Sequence, residues 1–357
     1  MKAAIYSPYL DTLGGGERYM MTIAETLAKS HQVDILLDSH LYLLDIEKII
    51  RDLSSRFGLD LKKINFIRAP LGKESNTLER SIFLIRYDLL VYLTDGSIFY
   101  PTSTKNILHI QSPIIGQPAK SLWGKLKLNG WDLIMYNSYF TKKNSELNWP
   151  IKSEVVYPPV DTHNIKPLKK KKNILSVGRF FGYLKDKKQE LLIKVFDSLY
   201  KEGLKDWSLH LVGSAGEGDK KYIEELKDLS KGIPVKFHPN LSYEDLIVLY
   251  GESSIYWHAA GFEEENPTKM EHFGISTVEA MAAGCVPVVI KAGGQVEIVE
   301  DGRTGFLWDS LDDLEKLTLK VVSDIDLRSQ LSKQAIEKAK MFSKERFTQK
   351  IIELVKN

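Results

Sequence analysis

The chain has 357 residues, 43% of them hydrophobic and 27% charged, with a formal net charge of +2. This length favours two domains of about 150 to 200 residues over a single core, and the near-neutral charge gives no indication of a nucleic-acid partner. The single cysteine, Cys285, excludes an internal disulfide framework and fits a reducing compartment. It lies in the apolar run "CVPVVI", so we expect a small buried core residue.

The N-terminal "MKAAIYSPYL" lacks the apolar region of a signal peptide, and no segment reaches the roughly 20 apolar residues that span a bilayer. We therefore expect a cytoplasmic protein, possibly peripheral at the inner membrane face. Residues 120–131 alternate lysines with Trp123, Leu126, Leu128 and Trp131. This pattern fits either a segment resting on a membrane or a half-buried surface helix or loop.

Strand-length apolar runs alternate with helix-period segments along the first half of the chain. In order, the runs are "AAIYS", "VDILLD", "LLVYLTD", "NILHIQS", "DLIMYNS" and "EVVYPPV". The alternation restarts with "NILSVG", "SLHLVG", "VKFHPN", "SIYWHAA" and "CVPVVI". Short apolar strands between helices indicate a parallel sheet covered on both faces. The sequence thus predicts two Rossmann-like, doubly wound parallel-sheet α/β domains facing a cleft that binds ligand.

Between the two series lies a stretch rich in proline and lysine, "YPPVDTHNIKPLKKKK". Such composition favours a solvated linker. We place an N-terminal domain at 1–160, a hinge or linker at 161–172, a second domain at 173–340 and a C-terminal helix at 341–357.

Three consecutive glycines, Gly14–Gly16, follow the first strand and precede a helix. They would let backbone N–H groups approach an anion near the helix N-terminus. A tight strand-to-helix turn explains them equally well.

Arg179 follows a predicted strand end, and Lys185, Lys187 and Lys188 precede the next helix. An arginine fork with a nearby ammonium suits a pyrophosphate whose charge grows as it leaves. The alternative is a charged surface loop in which Asp186 and Glu190 neutralise the lysines.

The stretch "EHFGISTVEAMAAG" contains two glutamates, Glu271 and Glu279. Ser276 and Glu279 match a capping box, with Ser276 as N-cap and Glu279 at the third helical position. Helix capping does not explain Glu271. A carboxylate can, however, accept hydrogen bonds from two sugar hydroxyls. A sugar site is therefore the second interpretation.

His109 lies where a strand should end, so it either faces the cleft or is a buried core histidine. Asp324 and Asp326 lie near a predicted helix start and are explained by N-capping. His258 and His272 flank an acidic loop without a compact ligand spacing. We expect no catalytic metal.

Together these segments resemble a GT-B glycosyltransferase of family 4, the retaining group that uses sugar nucleotides. The resemblance covers nearly the whole chain. The segments that carry it are "GGGER", "NSYFTK", "VYPPVDT", "VGRF" with "KDKKQELLI", "EHFGISTVE" as the E-x7-E motif, and "AGGQVEIVEDGRTGFL".

This resemblance implies roles for the matching positions. Arg179 and Lys187, with Lys185 as a rival, would bind the donor diphosphate; Glu271 would contact the transferred sugar, and Glu279 the ribose. The remaining implied donor-site residues are His109 beside the reacting sugar, Gly15 and Gly16 against the phosphate, and the loop of His272, Phe273, Gly274 and Ile275. The last helix would cross back onto the first domain.

The implied activity is retaining transfer of a hexose from a nucleotide-diphosphate sugar to a hydroxyl of a glycan or lipid-linked acceptor, without metal or cofactor. The segment "HAAGFEEENPTKMEHFG" carries an acidic insertion where many members of the family have a shorter link. Its "HAA" and "EHFGI" resemble mannosyltransferases that extend lipid-linked oligosaccharides, which slightly favours GDP-mannose over UDP-glucose or related donors. The alternatives are a glycoside phosphorylase or hydrolase on the same fold, and a non-catalytic protein that binds sugar nucleotides.

Overall fold

The computed structural model describes residues 1–72, 75–116 and 121–356. The chain divides into two compact units: unit 1 comprises Met1–Pro159 with Lys344–Asn357, and unit 2 comprises Val160–Ser343. Each unit is an α/β domain built on one parallel sheet.

Unit 1 contains a seven-stranded parallel sheet in the order β3-β2-β1-β4-β5-β6-β7. Its strands are β1 Lys2–Tyr6, β2 Gln32–Leu37, β3 Ile64–Arg68, β4 Leu89–Leu93, β5 Lys105–Ile110, β6 Leu133–Tyr136 and β7 Ser153–Val155. Its helices are α1 Gly15–Ala28, α2 Ile46–Phe57, α3 Thr77–Leu84, α4 Leu122–Asn129, α5 Tyr139–Ser145 and the C-terminal helix Lys344–Lys356.

Alternate side chains of these strands enter two apolar clusters. Ala3 and Ile5 of β1 pack beside α1, whereas Ala4 and Tyr6 pack on the opposite face. Because side chains of a strand alternate between faces, a sheet covered on both sides needs apolar residues at every position. The near-continuous apolar runs of the sequence satisfy that need.

Unit 2 contains a six-stranded parallel sheet in the order β10-β9-β8-β11-β12-β13. Its strands are β8 Asn173–Val177, β9 Ser208–Gly213, β10 Val235–Pro239, β11 Ile255–His258, β12 Val286–Ile290 and β13 Phe306–Trp308. Its helices are α6 Gln189–Lys201, α7 Lys220–Leu229, α8 Tyr243–Glu252, α9 Ile275–Ala282, α10 Gln295–Ile298, α11 Leu311–Ser323 and α12 Ile325–Ala339. Short 3₁₀ turns lie at Leu41–Leu43, Glu146–Asn148, Glu217–Asp219, Pro267–Lys269 and Lys340–Phe342.

The strand orders confirm the predicted class of two Rossmann-like, doubly wound α/β domains. In unit 2 the chain winds outward from β8 in one direction and then resumes at β11 in the other. The carboxyl ends of β8 and β11 therefore flank a topological switch point, where ligands bind in open α/β sheets. The corresponding pair in unit 1 is β1 and β4.

The lysine run before β8 is fixed to unit 2 rather than solvated throughout. Lys170 donates from Nζ to the carbonyl oxygens of Ser253 and Ala283, at 2.7 and 2.6 Å. These carbonyls lie at the C-terminal ends of α8 and α9, where a cation is favourable. A solvated hinge is thus the wrong description of Lys170.

The C-terminal helix packs in unit 1. Phe347 and Ile351 enter the cluster beside α1, and the Tyr19 and Phe347 rings meet edge to face at 4.8 Å between centroids. Lys344 Nζ lies 2.6 Å from Glu25 Oε2 on α1.

Two local sequence predictions are confirmed. Asp324 is the N-cap of α12, and its Oδ1 accepts from the backbone N–H of Leu327 at 2.8 Å. Cys285 is fully buried in unit 2, and burial raises the pKa of its thiol to about 11.

Candidate functional site

The site forms where β8 ends, at the switch point of unit 2. Gly178 follows β8, and a Cβ on it would lie 2.7 Å from Lys187 Cγ. A glycine is therefore needed for the Lys187 stem to cross the strand end. Arg179 comes next and is exposed, with its guanidinium 5.3 Å from the centroid of the Phe181 ring.

Lys187 and Glu271 form a partly buried ion pair. Lys187 Nζ lies 2.8 Å from Glu271 Oε2, and the two side chains are only 23% and 21% exposed. His258, the last residue of β11, places its Nε2 3.1 Å from the same oxygen. The carboxylate is thus contacted from two elements that flank the switch point.

Electrostatics keep both partners charged. Burial alone raises the pKa of Glu271, but the Lys187 ammonium and the His258 ring outweigh it and hold that pKa well below its ordinary value. Burial lowers the pKa of Lys187, but Glu271 and Asp186 reverse this and raise it, against a smaller opposing effect of the Arg179 charge. Glu271 is therefore a carboxylate at neutral pH, ready to accept hydrogen bonds.

The three lysines of the loop have different partners. Lys185 is exposed and pairs with Glu190 at 3.3 Å and with Glu225 at 3.4 Å. Lys188 pairs with Glu264 of the acidic insertion at 2.9 Å. Only Lys187 among them contacts Glu271, and Arg179 lies close enough to lower its pKa.

The loop carrying Glu271 is held by a glycine turn. Gly294 N–H donates to the carbonyl oxygen of Glu271 at 2.7 Å. A Cβ on Gly293, whose φ is +60°, would lie 2.2 Å from that oxygen, and one on Gly294 would lie 2.5 Å from Phe273 Cα. Only glycine permits this backbone approach. In the sequence this turn was indicated by the "AGG" that begins the segment "AGGQVEIVEDGRTGFL".

The predicted capping box does not form, so that prediction is wrong. Helix α9 starts at Ile275 with Gly274 as its N-cap at φ +117°, and no side chain caps it. Ser276 is therefore the second helical residue rather than the N-cap, and its Oγ accepts from the Tyr256 hydroxyl at 2.8 Å. A glycine in the left-handed region starts the helix two residues earlier than the S-x-x-E pattern suggests.

Glu279 consequently lies further along α9 than predicted. It is 6% exposed, and its Oε2 accepts from the Tyr250 hydroxyl at 3.2 Å. The adjacent loop is also ordered: His272 Nε2 lies 3.2 Å from the carbonyl oxygen of Thr268, and Phe273 is buried. The first N–H groups of α9 have no partner within the helix and suit an anion.

The remaining predicted residues lie in unit 1. His109 is fully buried in β5, donates from Nδ1 to the Met135 carbonyl oxygen at 3.0 Å, and stacks on Tyr19 at 3.8 Å between centroids. Burial lowers its pKa to about 3, so the ring is neutral. Its Nε2 has no partner in the described ranges 1–72, 75–116 and 121–356.

The glycine run begins α1. Gly14 is the N-cap, and its N–H donates to Glu17 Oε2 at 2.6 Å. Gly15 is the exposed first helical residue, whereas Gly16 is buried, and a Cβ on it would lie 2.1 Å from Gln111 Oε1. Close packing against Gln111 thus explains Gly16, and a turn explains Gly14.

Sequence reasoning missed His258 as a partner of Glu271. It was considered only as a metal ligand, because nothing in the spacing showed that β11 would end beside the Glu271 loop. Among the residues that the structure describes, no group of three or more His, Cys, Asp or Glu side chains could hold a metal ion. Nor does any described helix have the length and apolar character needed to cross a membrane.

Residues 161–338 match the family model described as "Glycosyl transferases group 1". A curated relative, GDP-Man:Man(3)GlcNAc(2)-PP-Dol alpha-1,2-mannosyltransferase of Xenopus laevis, is 31% identical over 208 residues, which are 51% of this chain and 40% of the relative. The chain thus spans less than half of that relative. The Caenorhabditis elegans protein of the same name is 24% identical over 90% of this chain and 83% of its own.

Among solved structures, Alr3699/HepE of Anabaena, in complex with UDP and glucose, superposes with a TM-score of 0.68. It is 18% identical and covers 100% of this chain and 99% of its own, a likeness that shows the fold. The match at 161–338 includes Arg179, Lys187, His258 and both motif glutamates. Unit 2 therefore carries a glycosyl transferases group 1 domain.

Proposed function

We propose that the protein is a retaining, metal-independent glycosyltransferase of family 4 that moves a hexose from a nucleotide-diphosphate sugar to an acceptor hydroxyl. The observation that carries this proposal is the contact of Lys187 with Glu271 at the switch point of unit 2. In this contact the Lys187 ammonium is suited to bind a diphosphate, and the Glu271 carboxylate is suited to bind sugar hydroxyls. Arg179 adds a second positive charge beside Lys187.

In the proposed reaction the bond between the anomeric carbon and the diphosphate oxygen breaks as the acceptor oxygen bonds to the same face of that carbon. The nucleoside diphosphate leaves with the bonding electron pair, and its phosphate oxygen takes the proton of the acceptor hydroxyl. Lys187 and Arg179 stabilise the negative charge that develops on the leaving group. The N–H groups of Ile275 and Ser276 at the start of α9 supplement them.

Glu271 and Glu279 have separate tasks in this proposal. Glu271 is ionised and its side chain is partly exposed, so it accepts hydroxyls of the transferred sugar. Glu279 lies on α9, the helix that follows the loop of Glu271, and accepts the ribose hydroxyls of the donor. His109, Gly15 and Gly16 of unit 1 are proposed donor contacts on the strength of the family resemblance.

We propose GDP-mannose as the donor, with UDP-glucose as the next candidate. The mannosyltransferase relatives are named for GDP-Man, and Alr3699/HepE was crystallised with UDP and glucose. The acceptor is proposed to be a hydroxyl of a glycan or of a lipid-linked sugar, as the relatives' names indicate.

An exposed apolar face in unit 1 supports a lipid-linked acceptor. Leu78 and Ile82 on α3 and Ile85, the residue that directly follows α3, are 67%, 65% and 69% exposed. Trp123 and Leu126 on α4 are 74% and 45% exposed. Side chains of both helices, Leu84 and Leu128, enter the same cluster beneath the sheet, so the outer faces of the two helices lie on the same side of unit 1.

The part of this outer face that α4 contributes is also basic. Lys125 and Lys127 are exposed, and α4 contains no acidic residue. Aromatic and basic groups together suit an anionic membrane surface, and we propose peripheral association there, at the inner face of the membrane of a cytoplasmic enzyme. Trp131, grouped with this segment from the sequence, is instead buried, and Lys120 lies outside the described residues.

A panel of nucleotide sugars tests the proposal, scored by thermal shift and by transfer to a lipid-linked acceptor in the presence of EDTA. We expect stabilisation by GDP-mannose and product with retained anomeric configuration. Stabilisation without turnover would support the non-catalytic alternative. Release of free or phosphorylated sugar from a glycoside, without any response to nucleotides, would support the hydrolase or phosphorylase.

A further inference from the structure

We propose that His258 is a positioning residue that fixes the Glu271 carboxylate, so that one carboxylate oxygen is held by the protein and the other faces the sugar. The proposal rests on the function proposed above, in which Glu271 binds the transferred sugar. It gives a role to His258, a buried residue that takes no part in the reaction proposed above.

The geometry around Glu271 is asymmetric. Its Oε2 receives both Lys187 Nζ at 2.8 Å and His258 Nε2 at 3.1 Å. Neither of these two donors contacts Oε1. Two donors from different elements restrict rotation of the carboxylate, and the remaining oxygen keeps its lone pairs for hydroxyl donors.

The surroundings of His258 favour a dedicated role. It is 3% exposed at the end of β11, after the buried residues Ile255, Tyr256 and Trp257. Its Nδ1 is buried without a partner in the described part of the chain. A proton on Nδ1 would be unpaired, whereas a proton on Nε2 can be donated to Glu271, so the geometry favours the proton on Nε2. An apolar residue would satisfy this strand position better if packing were the only requirement.

His258 also complements Lys187 during turnover. In the proposed reaction Lys187 stabilises the charge of the diphosphate, so its interaction with Glu271 is shared with the donor once the donor binds. The His258 contact comes from the strand and involves no phosphate ligand. It keeps the carboxylate oriented when Lys187 is engaged elsewhere, which is the requirement for catalysis by positioning.

Two substitutions separate positioning from packing. His258→Gln retains an N–H near the position of Nε2, whereas His258→Phe retains the ring shape but has no donor. We expect His258→Phe to lower kcat by at least about tenfold with a smaller change in the donor KM, and His258→Gln to restore most of the loss. Equal losses in both variants would overturn the proposal.

A titration tests the contact without relying on activity. The groups that influence Glu271 or share its partners are Lys187, His258, His272, Asp186, Arg179 and Tyr256. Carbon-13 NMR of Glu271 should show titration at higher pH in His258→Phe than in wild type, with His258→Gln between them. The acidic limb of the kcat profile should move in the same direction. An unchanged titration of Glu271 in folded His258→Phe contradicts the inference.

These readouts distinguish the two proposals. If wild type binds nucleotide sugars but transfers none, or binds none, the proposed function fails, while the NMR titration still decides whether His258 holds Glu271. If His258→Phe does not fold, His258→Gln against His258→Asn provides the same comparison, because the asparagine amide is too short to reach the Nε2 position. Wild-type kcat in His258→Asn would then overturn the inference.

Discussion

Lys187 and Glu271 are separated by 84 positions in the sequence, yet Nζ and Oε2 lie 2.8 Å apart. The contact arises because β8 and β11 are neighbours at the switch point, so the loops that follow them meet. Lys185, only two residues from Lys187, points to Glu190 and Glu225 instead.

The two lysines form a matched pair for mutation. Lys187→Ala should weaken donor binding and lower kcat/KM by at least about tenfold, because in the proposed reaction the ammonium stabilises the leaving diphosphate. Lys185→Ala should remain close to wild type, since it removes only the ion pairs of an exposed side chain with Glu190 and Glu225. Initial rates with saturating acceptor measure both. A larger loss of kcat/KM in Lys185→Ala than in Lys187→Ala would show that Lys185, and not Lys187, contacts the phosphate.

Glu271→Ala and Arg179→Ala should fold but lose transfer by at least about tenfold, which corresponds to roughly 1.4 kcal/mol in the barrier. Glu271 contacts the sugar and Arg179 the diphosphate in the proposed reaction. Steady-state rates and circular dichroism of each purified variant provide the test. Wild-type rates in either folded variant would rule out its assigned role.

The depressed pKa of Glu271 predicts a pH dependence of stability. A carboxyl whose pKa is lower in the folded state stabilises the protein above its unfolded pKa of about 4.3, and this contribution is lost as the pH falls toward the folded value. The free energy of unfolding of wild type minus that of Glu271→Gln should therefore be constant from about pH 8 to 5 and decrease below about pH 4. Denaturant titrations at each pH measure it; a decrease centred near neutral pH would contradict the assignment.

Asp324 offers a stability test that is remote from the reaction. Asp324→Ala removes the N-cap of α12 and should lower the free energy of unfolding by about 1 kcal/mol without changing transfer. Asp326, in the first turn of α12, makes no cap and serves as the control. Urea unfolding of both variants decides the point, and equal stabilities would show that the cap contributes nothing.

The exposed face of α3 and α4 predicts binding to anionic membranes. Sedimentation with phosphatidylcholine vesicles should increase when phosphatidylglycerol is added, and the double variant Ile82→Glu with Trp123→Glu should abolish the increase. Val248→Glu, at a 47% exposed position of α8 in unit 2, is the control. Unchanged sedimentation of the double variant contradicts a membrane role.

The fold class was predictable because it depends on short-range patterns. Apolar runs such as "LLVYL" and "VPVVI" are readable without knowledge of distant residues, and they became the buried strands β4 and β12. The N-cap of Asp324 is equally local and was predicted correctly.

The details of the site depended on contacts between distant segments. The S-x-x-E pattern suggested that Ser276 starts α9, but buried Phe273 and the turn at Gly274 start the helix earlier. His258 could not be assigned to Glu271 from spacing, because their contact depends on how the end of β11 meets the loop that follows the acidic insertion. Lysine composition likewise suggested solvation for Lys170, whereas the ends of α8 and α9 bind its ammonium.

The turn at Gly293 and Gly294 limits how this domain can diversify. Its backbone contacts the loop of Glu271 so closely that no side chain fits at either position. If the proposed function is correct, a change of donor preference must therefore come from substitutions at other residues of the site, while Gly293 and Gly294 stay the same. Positions 293 and 294 must therefore remain glycine if the loop of Glu271 is to keep this backbone position.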